Sequence, residues 1–285
     1  MDYLLISVAT MLIAFEFAFS KGYQTRQGVS ITAGLRFNAL CGLFSALTMW
    51  VISGFRLEWS GFSFLMALGM SLFCTSYSLL SFQILKTGGM ALYSMFLMSG
   101  GMLLPYVFGI VFLEETLTVF RILGVLAVLA GVILSNLSKE AVSKKLLFLC
   151  CGVFFLNGFV SIFSKCHQVA TGYFTVDSAT YAMYSGLGRF LFSAVALLFC
   201  KQASAPPMQK SALGMILGAA AIGGISYLLQ LIGARTLPAT ALYPMVTGGA
   251  IIFSALAGRV FFKEKLSRQQ LWGIGLSFIG TLLFL

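Results

Sequence analysis

Continuous apolar runs of helix length, repeated ten times with only short connections between them, constrain this chain more than any other feature. Their approximate limits are 3–22, 30–53, 60–84, 88–113, 118–137, 146–167, 176–200, 211–234, 238–262 and 268–285. A helix that crosses the hydrocarbon core needs about 20 predominantly apolar residues. In lipid, backbone N–H and C=O groups must be satisfied inside the segment or in a closed barrel. A barrel would alternate apolar and polar residues in strands of ~10 residues, and these runs do not alternate. With 59% hydrophobic and 9% charged residues, the chain cannot cover its own surface with polar groups in water. The fold class expected is therefore an all-α integral membrane protein of ten transmembrane helices, with the lipid bilayer as its solvent.

Charge and cysteine content add exclusions. The net charge of +10 could suggest nucleic-acid binding, but the 18 Lys and Arg residues are spread over loops and helix ends. Basic residues at those places are expected where membrane topology is set, so no nucleic-acid partner is expected. The six cysteines lie in or at the ends of apolar runs without CxxC or Cys/His spacing, so they read as small buried hydrophobes rather than metal ligands. The first run follows only Asp2 and lacks a basic leader and an A-x-A-like site, so it reads as a retained helix. No cofactor is expected.

The most polar connections are 138–145 and 201–210. The first lies near the middle and divides the chain into residues 1–137, a polar linker at 138–145, and residues 146–285. An internal repeat supports that division. At a shift of 149 residues Gly100 meets Gly249, Gly109 meets Gly258, Val111-Phe112 meets Val260-Phe261, Glu115 meets Glu264, and Gly124 and Gly131 meet Gly273 and Gly280. At slightly different shifts Phe19-Ser20-Lys21 matches Phe163-Ser164-Lys165, and Arg36-Phe37 matches Arg189-Phe190. Five helices is an odd number, so the second repeat enters the membrane inverted. That is a transporter plan, with a substrate site near the midplane between the halves.

Residues Val111-Phe112-Leu113-Glu114-Glu115-Thr116-Leu117 and Val260-Phe261-Phe262-Lys263-Glu264-Lys265-Leu266, the latter followed by Trp272-Gly273, resemble the drug/metabolite transporter superfamily in its EamA-like branch. The lysines closing helices one and six and the arginines in helices two and seven also fit that pattern. The resemblance implies secondary transport or exchange of small metabolites by alternating access, in the plasma (inner) membrane of a bacterium, by a monomer or homodimer that is not an enzyme. The chain departs from the family where a proline often follows Ala-Leu-Tyr: Pro244 fits in helix nine, but helix four has Ser94-Met95 there and its proline at Pro105. Helix one also departs, reading Ala14-Phe15-Glu16-Phe17 where Trp-Gly is common.

Glu16 is the carboxylate deepest in an apolar run. An ionisable group there costs at least about 2.5–3.5 kcal/mol on insertion scales and suggests function. Desolvation favours its neutral form and a nearby cation its charged form, so it could exchange a proton for a cationic substrate. The alternative is a structural pair with an arginine such as Arg189. Arg36 and Arg189 read as anchors for a substrate carboxylate or as ties between helices, and their matched places favour the tie. Asn157, Ser161, Ser164 and Gln168 share one stripe of helix six; Tyr227 and Gln230 share a face of helix eight, Tyr243 and Thr247 of helix nine, and Tyr77 and Ser81 of helix three. Such stripes line a cavity or form interhelical hydrogen bonds. The substrate-binding set expected is Glu16, Tyr77, Asn157, Ser161, Tyr227, Gln230 and Tyr243, with tyrosine faces suited to an organic cation. Gly214 and Gly218 read as a packing motif, His167 as an interfacial residue, and Glu115 and Glu264 as charges that favour the N-termini of helices five and ten.

The function expected is a secondary transporter, exporter or exchanger, of small-molecule substrates such as amino acids or organic cations. A lipid-linked carrier flippase or a non-transporting scaffold are the alternatives. Loops after odd-numbered helices hold most of the basic residues, which puts them in the cytoplasm, whereas the resemblance implies cytoplasmic termini. Either way, ten spans place residues 1 and 285 on one side. Reporters fused at those two ends should report the same compartment, and a reporter within Lys139–Lys145 the opposite one; opposite readings at the two ends would exclude ten spans.

Overall fold

The computed structural model describes residues 2–85, 90–136, 143–200, 207–263 and 265–284. These residues form ten α-helices: α1 (Asp2–Gln27), α2 (Ile31–Ile52), α3 (Gly61–Leu85), α4 (Met90–Phe112), α5 (Val119–Asn136), α6 (Lys144–Val169), α7 (Ser178–Phe199), α8 (Lys210–Thr236), α9 (Ala239–Phe262) and α10 (Arg268–Leu282). Nine are long and apolar enough to cross a membrane. The tenth, α10, has 15 residues, shorter than a straight span needs, and packs along α5. Among the described residues there is no strand. Large apolar side chains stand outside the bundle, with Leu198 83% and Phe199 80% exposed, an arrangement that lipid favours and water penalises.

Helix boundaries follow local chemistry. Ser30, Ser143 and Ser267 cap α2, α6 and α10 by accepting from Ala33, Leu146 and Gln270 N–H, and Asp177 caps α7 through Ala179 and Thr180. The first helix runs five residues beyond the expected end at 22. The polar stretch after Lys21 stays helical because Tyr23, 2% exposed, packs in a buried cluster with α2 and α8 and donates its hydroxyl to Ala33 O. Gly22 at that turn lies against Met215.

Packing runs across the two halves of the sequence. The most extensive helix pairs are α2 with α7, α1 with α8, α5 with α10, α4 with α6 and α3 with α6. Exchanging each of the first five helices with its counterpart in the last five maps α1–α8 onto α6–α3, α1–α9 onto α6–α4, and α2–α8 onto α7–α3, all observed. The backbone repeats as well: Glu114 and Lys263, equivalent at the shift of 149, are both left-handed, with φ of 53° and 52°. The exchange fails in two places: α6 packs on α8 and α5 on α9, without comparable contacts between α1 and α3 or between α10 and α4.

Glycines set the closest crossings. A Cβ on Gly100 would lie 2.1 Å from Phe154 O, bringing α4 and α6 into backbone contact. One on Gly131 would lie 2.6 Å from Gly273 O, and one on Gly273 2.8 Å from Gly131 O, where α5 crosses α10. Gly218 of the expected packing pair faces Phe19 at 2.7 Å, but Gly214 meets nothing within 4 Å, so only half of that pair makes a helix contact. Gly100→Ala should therefore destabilise the fold by about 1–3 kcal/mol through forced separation, while Gly214→Ala should stabilise by up to about 1 kcal/mol through helix propensity. Thermal unfolding of the two variants in detergent checks the opposite signs.

Candidate functional site: a central cavity

A cavity of about 330 Å³ lies at the centre of the bundle, lined from α1, α2, α3, α4, α6, α7, α8 and α9. Every residue of the expected substrate-binding set faces it: Glu16, Tyr77, Asn157, Ser161, Tyr227, Gln230 and Tyr243. Arg189, Ser164 and Thr247 line it too. Arg36 does not; it lies on α2 in the electrostatic reach of Tyr23, away from the cavity. Ser81 and Gln168 also fall outside. Ser81 donates to Ser78 O within α3. Gln168 belongs to a separate polar depression of the surface, where its Oε1 accepts from Arg235 Nε at 2.8 Å and from Ser178 Oγ at 3.0 Å.

Several lining groups are committed to helix ties. Asn157 Nδ2 donates to Leu97 O at 2.8 Å and Ser161 Oγ to Gly101 O at 3.3 Å, fastening α6 to α4. Tyr243 donates its hydroxyl to Ser161 O at 2.6 Å, joining α9 to α6, and Tyr227 and Ser164 share a hydrogen bond of 2.8 Å between α8 and α6. Arg189 donates from Nη2 to Asn38 Oδ1 at 3.0 Å, and Asn38 donates to Ser193 Oγ at 2.9 Å, so the α2–α7 crossing carries a three-residue polar chain. Arg189 Nε is buried without an acceptor among the described residues.

Glu16 differs. No described residue donates a hydrogen bond to its carboxylate. Arg189 attracts it across the cavity without hydrogen bonding to it. The carboxyl group lies over Gly223 of α8, where a Cβ would come within 2.5 Å of its Cδ and 2.7 Å of Oε1. Helix eight thus presents bare backbone there, and the acid extends into space that any side chain would fill. The expected structural pair of Glu16 with an arginine is not formed as a contact. What the arrangement offers is a desolvated carboxylate open to a proton or a cation, with Tyr77, Tyr227, Tyr243 and Phe17 in the surrounding wall.

Sequence reasoning missed part of the wall. Met70, Cys74, Met98, Ser45 and Ser185 line the cavity without standing in a polar stripe. Gly223-Gly224 carried a signal in the form of adjacent glycines inside a helix. Two other expectations are corrected. His167 is not interfacial; it is 1% exposed, stacks on Tyr181 at 3.8 Å and hydrogen bonds through Nε2 with Ser63 Oγ at 2.9 Å. Glu115 does not serve α5; its two carboxylate oxygens accept from Ala239 N at 2.6 Å and Thr240 N at 2.8 Å, capping α9. Its match, Glu264, lies outside the described residues.

The polar chain at the α2–α7 crossing makes a separable prediction. Asn38→Ala leaves a second guanidinium nitrogen without its acceptor and should lower the folded yield and melting temperature, by about 1–3 kcal/mol. Arg189→Ala should do so as well. Normal yield of Arg189→Ala with selective loss of substrate binding, measured by ligand-induced thermal shift, would make Arg189 a substrate anchor instead.

Comparison with known proteins adds three findings. Residues 144–285 match the model of the EamA-like transporter family, part of the drug/metabolite transporter superfamily. Among curated proteins no match is found. Solved structures share the fold: one, titled only as the crystal structure of a protein, has 16% sequence identity and a TM-score of 0.79, covering 99% of this chain and 95% of that one. At that identity the likeness shows the fold alone.

Proposed function

We infer, from the membership of residues 144–285 in the EamA-like transporter family and from the central cavity, that this membrane transporter of small molecules works as a secondary transporter by alternating access. Its substrates are small metabolites such as amino acids or organic cations, and Glu16 couples their movement to protons. The plasma membrane of a bacterium is the location this reading implies. The single observation that carries it is the Glu16 carboxylate, held over Gly223 in the central cavity with no hydrogen-bond donor among the described residues. A buried charge without a partner is costly, so the acid must be protonated, hydrated or bound to a cation. Competition between a proton and a cationic group for one carboxylate is sufficient to link their fluxes. The cavity volume of about 330 Å³ suits a small molecule better than a lipid-linked carrier.

The test begins with a pooled export screen in cells, followed by counterflow of the labelled hit in proteoliposomes. Glu16→Gln keeps shape and hydrogen-bonding capacity but removes titration. It should fold normally and lose most of its pH-driven uptake, because no group is left at that place to carry the proton. Glu16→Asp should retain some transport with an altered pH profile. Wild-type rate and pH dependence in Glu16→Gln would show that Glu16 is structural and that the substrate need not be a cation.

A further inference from the structure

One end of the cavity is crossed by hydrogen-bonded ties between helices. That end faces the loops 53–60, 113–118, 170–177 and 237–238. Tyr243–Ser161 and Tyr227–Ser164 form the first layer. Behind them lies the junction of α8 and α9, where one helix stops and the next begins within two residues, Leu237 and Pro238. The junction is packed inside the protein: Ala234 is 1% exposed, Leu237 6%, and Ala239 and Thr240 are fully buried. Helix termini leave unpaired carbonyls and amides, and here water does not reach them.

Two oppositely charged side chains supply the missing partners. Lys165 of α6, only 3% exposed, donates from Nζ to Ala234 O at 2.8 Å and to Leu237 O at 2.7 Å. Glu115, from the loop between α4 and α5, accepts from Ala239 and Thr240 N–H. A cation thus sits on the negative end of α8 and an anion on the positive end of α9, each favoured by its macrodipole. Glu115 and Lys165 also attract each other across the junction. The clamp touches the cavity directly, since Ala234 both lines the cavity and accepts from Lys165. It also coincides with one of the two breaks in the exchange symmetry of the fold, the α6–α8 contact without a comparable α1–α3 counterpart. The other half carries the same pair of residue types at matching places, Lys21 and Glu264.

We propose that Lys165 and Glu115 form a gate clamp across the α8–α9 junction, which holds the cavity shut toward the face of loops 53–60 and 170–177 and must release for the cavity to open there. The proposal rests on the alternating-access reading, and both residues act as positioning residues: they hold helix ends and do not touch substrate. Loss of either partner leaves buried helix-terminal groups unpaired in the closed state only, so the balance shifts toward the state open on that face.

Cys74 lines the cavity and provides the probe. In a full-length protein with Cys41, Cys150, Cys151, Cys166 and Cys200 replaced by alanine, a charged, membrane-impermeant thiosulfonate is applied to right-side-out and inverted vesicles. Exposed Tyr173, substituted as Tyr173→Cys in a parallel sample, marks the clamp face. Cys74 of the parent should react from the opposite face and slowly from the clamp face. Lys165→Met and Glu115→Gln should each speed the clamp-face reaction about tenfold, as expected for losing charge-assisted hydrogen bonds from one state, and slow the reaction from the opposite face. Unchanged clamp-face reactivity in a folded variant overturns the clamp and leaves the Glu16 coupling untouched. Equal acceleration from both faces also overturns it, because general loosening would do that. Equal reactivity from both faces in the parent would remove the closed gate altogether. If Lys165→Met does not fold, Glu115→Gln, which keeps one acceptor oxygen and loses the charge and the second acceptor, decides alone.

Discussion

A helix that ends inside a packed membrane protein presents carbonyls and amides to a medium with no water to satisfy them, and this bundle holds such a place between α8 and α9. At the α8–α9 junction the deficit is met by Lys165 and Glu115, each from a different helix pair. Fixing that junction fixes the angle at which α8 and α9 leave it. Those two helices carry Tyr227, Gln230, Tyr243 and Thr247 into the cavity and put Gly223 under Glu16. The geometry of the site therefore depends on two side chains that lie outside it.

Helix type, number and rough limits could be read in the sequence because lipid leaves few choices: an apolar run of 20 residues has to be a helix. The lining of the cavity was legible in the same way. Polar side chains are so unfavourable toward lipid that a stripe of them must face inward, which is why Tyr77, Asn157, Ser161, Tyr227, Gln230 and Tyr243 surround a single cavity. Reading failed where direction along the helix mattered more than the stripe. Gln168 continues the stripe of α6 by spacing but stands one turn past the cavity end. It failed again where the partner was distant in sequence: Glu115 looks like a charge for the helix that follows it, and only tertiary packing gives it to α9. Lys165, read from the sequence as closing helix six, is buried for the same reason.

The repeat is visible in the backbone, in the paired left-handed residues Glu114 and Lys263 and in the exchange of helix contacts, yet the two halves are not in equivalent states. Related sequences with the same packing options have settled into different arrangements at their ends.

The pairing of helices across the halves also bears on how the molecule is made. α2 lies chiefly on α7, α1 on α8 and α5 on α10, so each of these early helices has its main neighbour in the part of the chain synthesised last. Inserted helices must wait in the bilayer, with Gly124 and Gly131 of α5 offering bare backbone to lipid, until Gly273 and Gly280 arrive. The assembly step is therefore late and long-range, which is slow by nature. During the wait the nascent first half exposes tacky glycine surfaces that a membrane chaperone, or a neighbouring copy, could occupy first.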